Sequence, residues 1–277
     1  MKLREFFYCL GLKPKPRKYA YELREQSLRG QIVRYAQWLH PRAYPCEIQE
    51  RELKSLEAFL SPGDVAIDIG AHMGDSTLPM ALVVGASGCV IALEANPYVF
   101  ETLEANAQAN PQLTNIHAFN LAATDENRPF EFSYNDPGFM NGGAVETQRY
   151  RRGAAFRQTV QGVRLGDFMN EQFPELIDRI RYIKIDTEGY DLYVLRSITD
   201  LLKRAQPFVQ AEVMKGTPAQ YRNELFDFLK SLGYQVYFST NCQHAAQEMS
   251  REELMEHENF DVFCVPKHQV QFRVAAA

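Results

Sequence analysis

One short stretch constrains this chain more than any other. Asp64-Val-Ala-Ile-Asp-Ile69 reads as a buried strand, the glycine-rich turn Gly70-Ala71-His72-Met73-Gly74 follows it, and a helix begins near Asp75-Ser76-Thr77. Glycine lets the backbone approach a ligand closely, so a strand that turns through two glycines into a helix reads as a nucleotide-binding turn. The spacing narrows the ligand. A dinucleotide site calls for G-x-G-x-x-G, which is missing, and no Gly-Lys-Ser/Thr follows to make a P-loop. Asp68, an acid at the strand end, is a poor neighbour for a diphosphate. It suits a ligand carrying ammonium and sulfonium charge, which S-adenosylmethionine does.

The alternation of strand and helix continues. Cys89–Leu93, Ile116–Phe119, Tyr182–Ile185 and Phe208–Val213 are predicted strands, with closing strands at Tyr234–Ser239 and Phe260–Val265. Helices are predicted from Glu47 to Leu60, over Tyr98–Ala109 with Pro97 suited to the first turn, over Leu192–Leu202 and over Ala219–Leu232. Such spacing implies parallel pairing with helices on both faces, so the fold class is α/β, a doubly wound, mostly parallel, Rossmann-like sheet.

Two segments stand apart. Residues 124–165 form an insertion in which Phe130–Tyr134 and Thr159–Leu165 have the period-two character of an antiparallel pair. Between them a stretch rich in Gly, Asn and Arg is a candidate lid or substrate loop. Residues 1–45 form a basic N-terminal extension ahead of the main domain, 46–277. Within the extension, Tyr21–His40 has mixed periodicity, with part of it expected as helix ending at Pro41.

Composition bounds the rest. With 277 residues, 45% apolar and 23% charged, the chain excludes collagen-like, wholly disordered and coiled-coil readings. Its longest apolar runs, such as Ala81–Val84, fall far short of the roughly 18–20 residues a membrane-spanning helix needs. The net charge of −5 is uneven: residues 1–45 carry ten Lys and Arg against three Glu, a local +7 that leaves −12 for the remainder. A basic arm on an acidic body is expected to dock on a membrane surface, a polyanion or the body itself, or to stay solvated. The apolar run at 6–12, beside Lys13–Lys18, leaves peripheral membrane contact open. Five cysteines with no C-x-x-C spacing argue against a disulfide framework or zinc knuckle. No small-residue cleavage site appears, and the expected setting is reducing and cytoplasmic.

Two further segments carry chemistry. Glu94 ends the second strand, where an acid can accept hydrogen bonds from both ribose hydroxyls; the structural alternative is a helix cap ahead of Pro97. Asn96 would support the same turn, and Asn120 with backbone groups at Ala122 would lie level with an adenine. Farther on comes Tyr182-Ile-Lys184-Ile-Asp186-Thr-Glu188-Gly189. If the chain stays extended there, Lys184, Asp186 and Glu188 share one face. A lysine in a buried strand needs a carboxylate, which Asp186 or Glu212 could supply.

Taken in order, Asp68–Thr77, Leu93–Pro97, Tyr182–Gly189 with Val194-Leu195, Glu212 and Phe260–Pro266 resemble the FkbM-type S-adenosylmethionine-dependent methyltransferases. The resemblance spans about residues 47–266, and Lys-Ile-Asp-x-Glu-Gly is its most distinctive part. It implies a class I methyltransferase fold and methylation of a hydroxyl on a sugar, glycan, lipid or secondary metabolite. Carried over by position, Asp68, Gly70, Gly74 and Glu94 match the cofactor motifs, and Asp186 and Glu188 the signature near the reacting centre; Ala71, within the glycine turn, is added to the cofactor set.

An alcohol acceptor must lose its proton as it attacks, so a base is needed within hydrogen-bond reach. Asp186 is the first choice, then Glu188 and Glu212; His72, His117 and His244 rank below them. Lys184 is a candidate acceptor-binding group. A divalent cation held by Asp186 and Glu212 is open but not favoured, and no metal ligand is assigned. Arg149, Arg151, Arg152 and Arg157 lie close in sequence and would suit an anionic acceptor. Competing readings are a non-catalytic cofactor-binding adapter and, below it, an NAD-dependent oxidoreductase. Nucleic acid is disfavoured as a partner by the acidic body and the lack of an aromatic stacking array. Oligomeric state is left open.

Overall fold

The computed structural model describes residues 14–140, 142–144, 156–240 and 243–269. The first described elements correct the sequence reading. Arg29 and Gly30 both take positive φ, 50° and 79°, as a tight two-residue antiparallel turn requires. They join β1 (Tyr21–Leu28) to β2 (Gln31–Trp38), with Leu28 opposite Gln31 and Tyr21 opposite Trp38. The helix expected within 21–40 is therefore a hairpin. In β2, buried Val33 and Tyr35 alternate with exposed Ile32 and Arg34, but Ala36, Gln37 and Trp38 are buried in succession and blur the period.

The main domain alternates as expected: α1 (Glu50–Glu57), β3 (Val65–Ile69), α2 (Thr77–Val84), β4 (Cys89–Leu93), α3 (Pro97–Gln108) and β5 (Ile116–Phe119). The insertion supplies β6 (Ala122–Thr124), β7 (Pro129–Tyr134), β8 (Gly142–Ala144) and β9 (Phe156–Arg164), and α4 (Leu165–Gln172) follows. Then come β10 (Ile180–Ile185), α5 (Asp191–Ser197), α6 (Thr199–Ala205), β11 (Phe208–Val213), α7 (Ala219–Ser231), β12 (Tyr234–Thr240), β13 (Gln243–Glu248) and β14 (Phe260–Pro266). The single helix predicted over Leu192–Leu202 is two. Ser197 Oγ donates to the Val194 carbonyl and Thr199 Oγ1 to the Arg196 carbonyl, local bonds that compete with helix continuation at Ile198.

The eight-stranded sheet runs β13-β12-β14-β11-β10-β3-β4-β5. Strands β11, β10, β3, β4 and β5 are parallel, while β14 is antiparallel to both β11 and β12. This is the doubly wound class I arrangement. β3 and β4 are buried at every position, as parallel strands covered on both faces must be. Ile67, Ile69 and Ile91 pack with Leu165, Leu195 and Leu225 on one face; Ala66, Val90 and Tyr182 pack with Leu53, Leu78 and Trp38 on the other. Strand order reverses between β3 and β10, and ligands of open α/β sheets bind outside the carboxyl ends at such a point.

The insertion is a four-stranded sheet of order β6-β9-β7-β8, in which β7 and β9 are antiparallel with Phe130 opposite Val160. The hairpin docks through two asparagines, Asn106 in the last turn of α3 and Asn110 just past its end. Asn106 Oδ1 accepts from Ala36 N and its Nδ2 donates to the Ala36 and Met73 carbonyls; Asn110 pairs in the same way with Arg34 N and O. Arg29 binds Glu50 and Glu57, Lys18 binds Glu101, and Arg42 lies 3.6 Å from Asp136, so three cations of the basic segment meet four acids outside it. Among the described residues no helix is long and apolar enough to cross a membrane.

Candidate active site

The site begins where β3 and β10 end side by side. Asp186 N donates to the Ile69 carbonyl at 2.9 Å, and Lys184 is in register with Asp68. Gly70, at φ 76°, sits so close to the next strand that a Cβ there would lie 1.9 Å from the Asp186 carbonyl oxygen. Only glycine fits, and its fit joins the glycine turn to the Lys-Ile-Asp-x-Glu-Gly segment.

Glu94 closes β4 directly beside this junction. Its Oε2 accepts from His72 N at 2.8 Å and its Oε1 from Asn96 N at 2.7 Å, so each oxygen keeps a lone pair for a ligand. Burial pushes its carboxyl up from the usual range. Glu94 is not the cap of α3: Asn96 is, accepting from Tyr98 N at 3.0 Å, with Pro97 in the first turn. Asn120 Nδ2 donates to the Glu94 and Ala95 carbonyls and steadies the turn from the side.

A cavity of about 400 Å³ opens over these strand ends, within the range of small-molecule sites. Of the sequence candidates, Gly70, Glu94, Asn96, Ala122, Lys184, Asp186 and Glu188 line it. Others do not, and the reason is strand geometry. β3 runs one residue past Asp68, so the Asp68 side chain points to the α2 face, fully buried, and accepts from Ser76 Oγ at 2.8 Å and Thr77 Oγ1 at 2.6 Å. Asp68 thus braces the start of α2 instead of facing ligand charge. Ala71 is fully buried, Gly74 packs against Leu103 and Asn106, and Asn120 acts on the backbone of the turn. Arg149, Arg151 and Arg152 lie outside the described residues.

At the end of β10, Lys184 Nζ is 3.3 Å from Asp186 Oδ2, which settles its partner as Asp186. Burial alone would push Lys184 down, but the charges of Asp186, Asp68, Asp75 and Asp261 outweigh it and keep the ammonium charged. Glu188 is not on an extended strand; it turns at φ 57°. The Asp191 carboxylate accepts from Gly189 N at 3.2 Å and Thr187 N at 3.4 Å and so shapes that turn. Glu212 is absent from the cavity wall. Burial and the nearby Asp186, Glu188, Asp191 and Asp261 push its carboxyl up to about 9, so near pH 7 it holds its proton and is not in the state of a general base. Among the described residues no group of three or more His, Cys, Asp or Glu is arranged to hold a metal ion.

Several lining residues escaped the sequence reading. Phe132, Tyr134, Met140 and Ala144 come from the insertion and Tyr44 from the N-terminal segment. His72, ranked low, lines the cavity at φ 50°, its ring edge-on to Trp38 and its Nε2 buried without a partner. Positive φ in a residue other than glycine is strained, and two such residues, His72 and Glu188, line this one cavity.

The family model for the methyltransferase FkbM domain matches residues 68–236, more than half of the chain. The chain belongs to the FkbM methyltransferase family. Among solved structures this FkbM domain is similar to the methyltransferase FkbM from Methylobacillus flagellatus KT, at 14% identity and a TM-score of 0.44 over 74% of this chain and 44% of that one. It therefore spans less than half the length of that protein. It is also similar to fibrillarin from Aeropyrum pernix, in complex with natively bound S-adenosyl-L-methionine, at 10% identity and a TM-score of 0.44 over 91% and 97% of the two chains. A third is the precorrin-6y C5,15-methyltransferase from Geobacter metallireducens GS-15, at 13% identity and a TM-score of 0.42 over 78% and 87%. No curated protein matches the chain.

Proposed function

We propose that this FkbM-family chain transfers a methyl group from S-adenosylmethionine to a hydroxyl of a sugar, glycan, lipid or secondary metabolite. The main support is that Glu94, with a free lone pair on each carboxylate oxygen, faces the same cavity as the Lys184–Asp186 pair. The residues fit the cofactor: Gly70 leaves room for close approach, Glu94 can take the ribose hydroxyls, and Ala122 offers backbone groups to an adenine. When bound, S-adenosylmethionine supplies a methyl group on a positively charged sulfur that is already a good leaving group. The chain's own residues then have to align the acceptor, exclude water and take up a proton. Asp186, with Glu188 beside it, accepts the proton of the acceptor hydroxyl. Lys184, held charged, orients Asp186 and favours negative charge developing on the acceptor oxygen.

The test uses two variants and two readouts. Wild type should bind S-adenosylhomocysteine in calorimetry with a dissociation constant on the order of micromolar, about −8 kcal/mol. Glu94→Ala should weaken it by roughly tenfold or more, for the loss of hydrogen bonds to a charged group. Asp186→Asn should keep that affinity within about threefold and lower turnover on a glycan or lipid acceptor by about 10²-fold or more. A wild type that ignores S-adenosylhomocysteine would sink the methyltransferase reading. One that binds it yet methylates no hydroxyl acceptor would be the adapter.

A further inference from the structure

Tyr134 is the last residue of β7 and only 1% exposed, and it lines the cavity with a hydroxyl that has no hydrogen-bond partner. A buried hydroxyl left unpaired costs about 1–3 kcal/mol, so its position calls for an explanation. The ring cannot swing away to find a partner. Gly142 stands opposite it in β8, and a Cβ there would lie 2.2 Å from ring carbons Cδ1 and Cε1, so the ring lies flat across the glycine. Phe139 packs edge-on against it at 4.9 Å.

The surroundings say which part of a ligand the hydroxyl meets. Burial and then the Glu94 charge push the Tyr134 hydroxyl up, and both residues line the one cavity. The loop after β7 is tied to the Glu94 turn itself. Asn96 Nδ2 donates to the Phe139 carbonyl at 2.6 Å, and Tyr98 stacks on Phe139 at 4.3 Å with the rings 9° apart. An acceptor-only carboxylate and an unpaired phenol thus share the cavity wall from two different sheets. A vicinal diol answers both, its hydroxyls donating to Glu94 while one of its oxygens accepts from Tyr134.

We infer that Tyr134 is a cofactor-binding residue supplied by the insertion, its hydroxyl hydrogen-bonding a ribose hydroxyl across from Glu94. The inference rests on the reading of this cavity as an adenosyl site. The insertion then serves the cofactor directly, in addition to any part it plays with the acceptor.

Calorimetry with S-adenosylhomocysteine and its 2′-deoxy and 3′-deoxy analogues, on wild type and Tyr134→Phe, tests this alongside thermal unfolding without ligand. Tyr134→Phe is expected to bind S-adenosylhomocysteine about 3- to 10-fold more weakly, the worth of one hydrogen bond. That loss should vanish with one of the two deoxy analogues, and the unliganded variant should melt no lower than wild type because no bond inside the protein is broken. Equal affinity of the two proteins for S-adenosylhomocysteine would overturn the inference and leave the methyltransferase reading intact. So would a loss that persists with both analogues, or a clearly lower melting temperature. Failure of wild type itself to bind would remove the adenosyl reading and this inference with it.

Discussion

At the scale of single residues, the site depends on how closely two strand ends can approach. Gly70 combines positive φ with a backbone contact that no side chain can share. Gly70→Ala should therefore lower stability by more than about 2 kcal/mol in denaturant unfolding, through overpacking and a disfavoured φ together. A tolerated alanine would mean that the β3 and β10 ends lie farther apart than described. Glu212 makes a prediction of a different kind. Its carboxyl is pushed up to about 9 in the fold, against about 4.3 for an unfolded glutamate, so the folded chain binds the proton more tightly. The stability linked to that proton is fully present below about pH 4 and is lost as pH rises through about 9. Glu212→Gln keeps a neutral group there at every pH. Its melting temperature should gain on wild type by several degrees between pH 5 and pH 9.5; parallel curves for the two proteins would refute it.

At the scale of elements, most local predictions hold because they rest on local causes. β4, β5 and β11 begin and end where the sequence predicts, and α3 starts at Pro97 behind the Asn96 cap. The elements that were missed depend on partners far along the chain. β2 docks at the end of α3, where Asn106 within the helix and Asn110 just past it each offer its backbone an amide. Asn106 is fully buried and also holds the Met73 carbonyl, so it links hairpin, helix and glycine turn. Asn106→Ala should cost about 2–4 kcal/mol in chemical denaturation, since it strands a buried N–H and two carbonyls. Asn106→Asp, which loses the two donated bonds and keeps the accepted one, should also be destabilised; if both variants match wild type, the docking is not as described.

At the scale of the whole molecule, the cavity is walled by the main domain, by the insertion and, through Tyr44, by the N-terminal segment that follows the hairpin. They meet around Trp38. Its indole stacks on His40 at 4.7 Å, meets His72 edge-on at 5.5 Å and packs with Tyr19. His40 Nε2 lies 3.2 Å from Asp136 Oδ1, and Arg17 N donates to the Pro137 carbonyl, so the chain on either side of the hairpin also holds the loop that carries Phe139 and Met140. Trp38→Ala should lower stability by about 3–5 kcal/mol, as expected for a buried tryptophan. It should also weaken S-adenosylhomocysteine binding, because it loosens His72 and the insertion loop together. Unchanged affinity would show that the hairpin is a support for the fold and not for the site.

The sequence by itself determined the layered α/β fold, the glycine turn, the acid that follows β4 and the Lys-Ile-Asp-x-Glu-Gly segment. Each is written in a few adjacent residues whose apolar period or glycine spacing has one physical meaning. Tertiary structure alone decided that Asp68 turns to Ser76 and Thr77, that Glu212 lies off the cavity wall with its proton retained, and that Tyr134 lines the same cavity as Glu94. Which face a strand residue presents depends on where the strand ends, and which charges surround it depends on chain brought in from far away. Neither is encoded in the spacing of near neighbours.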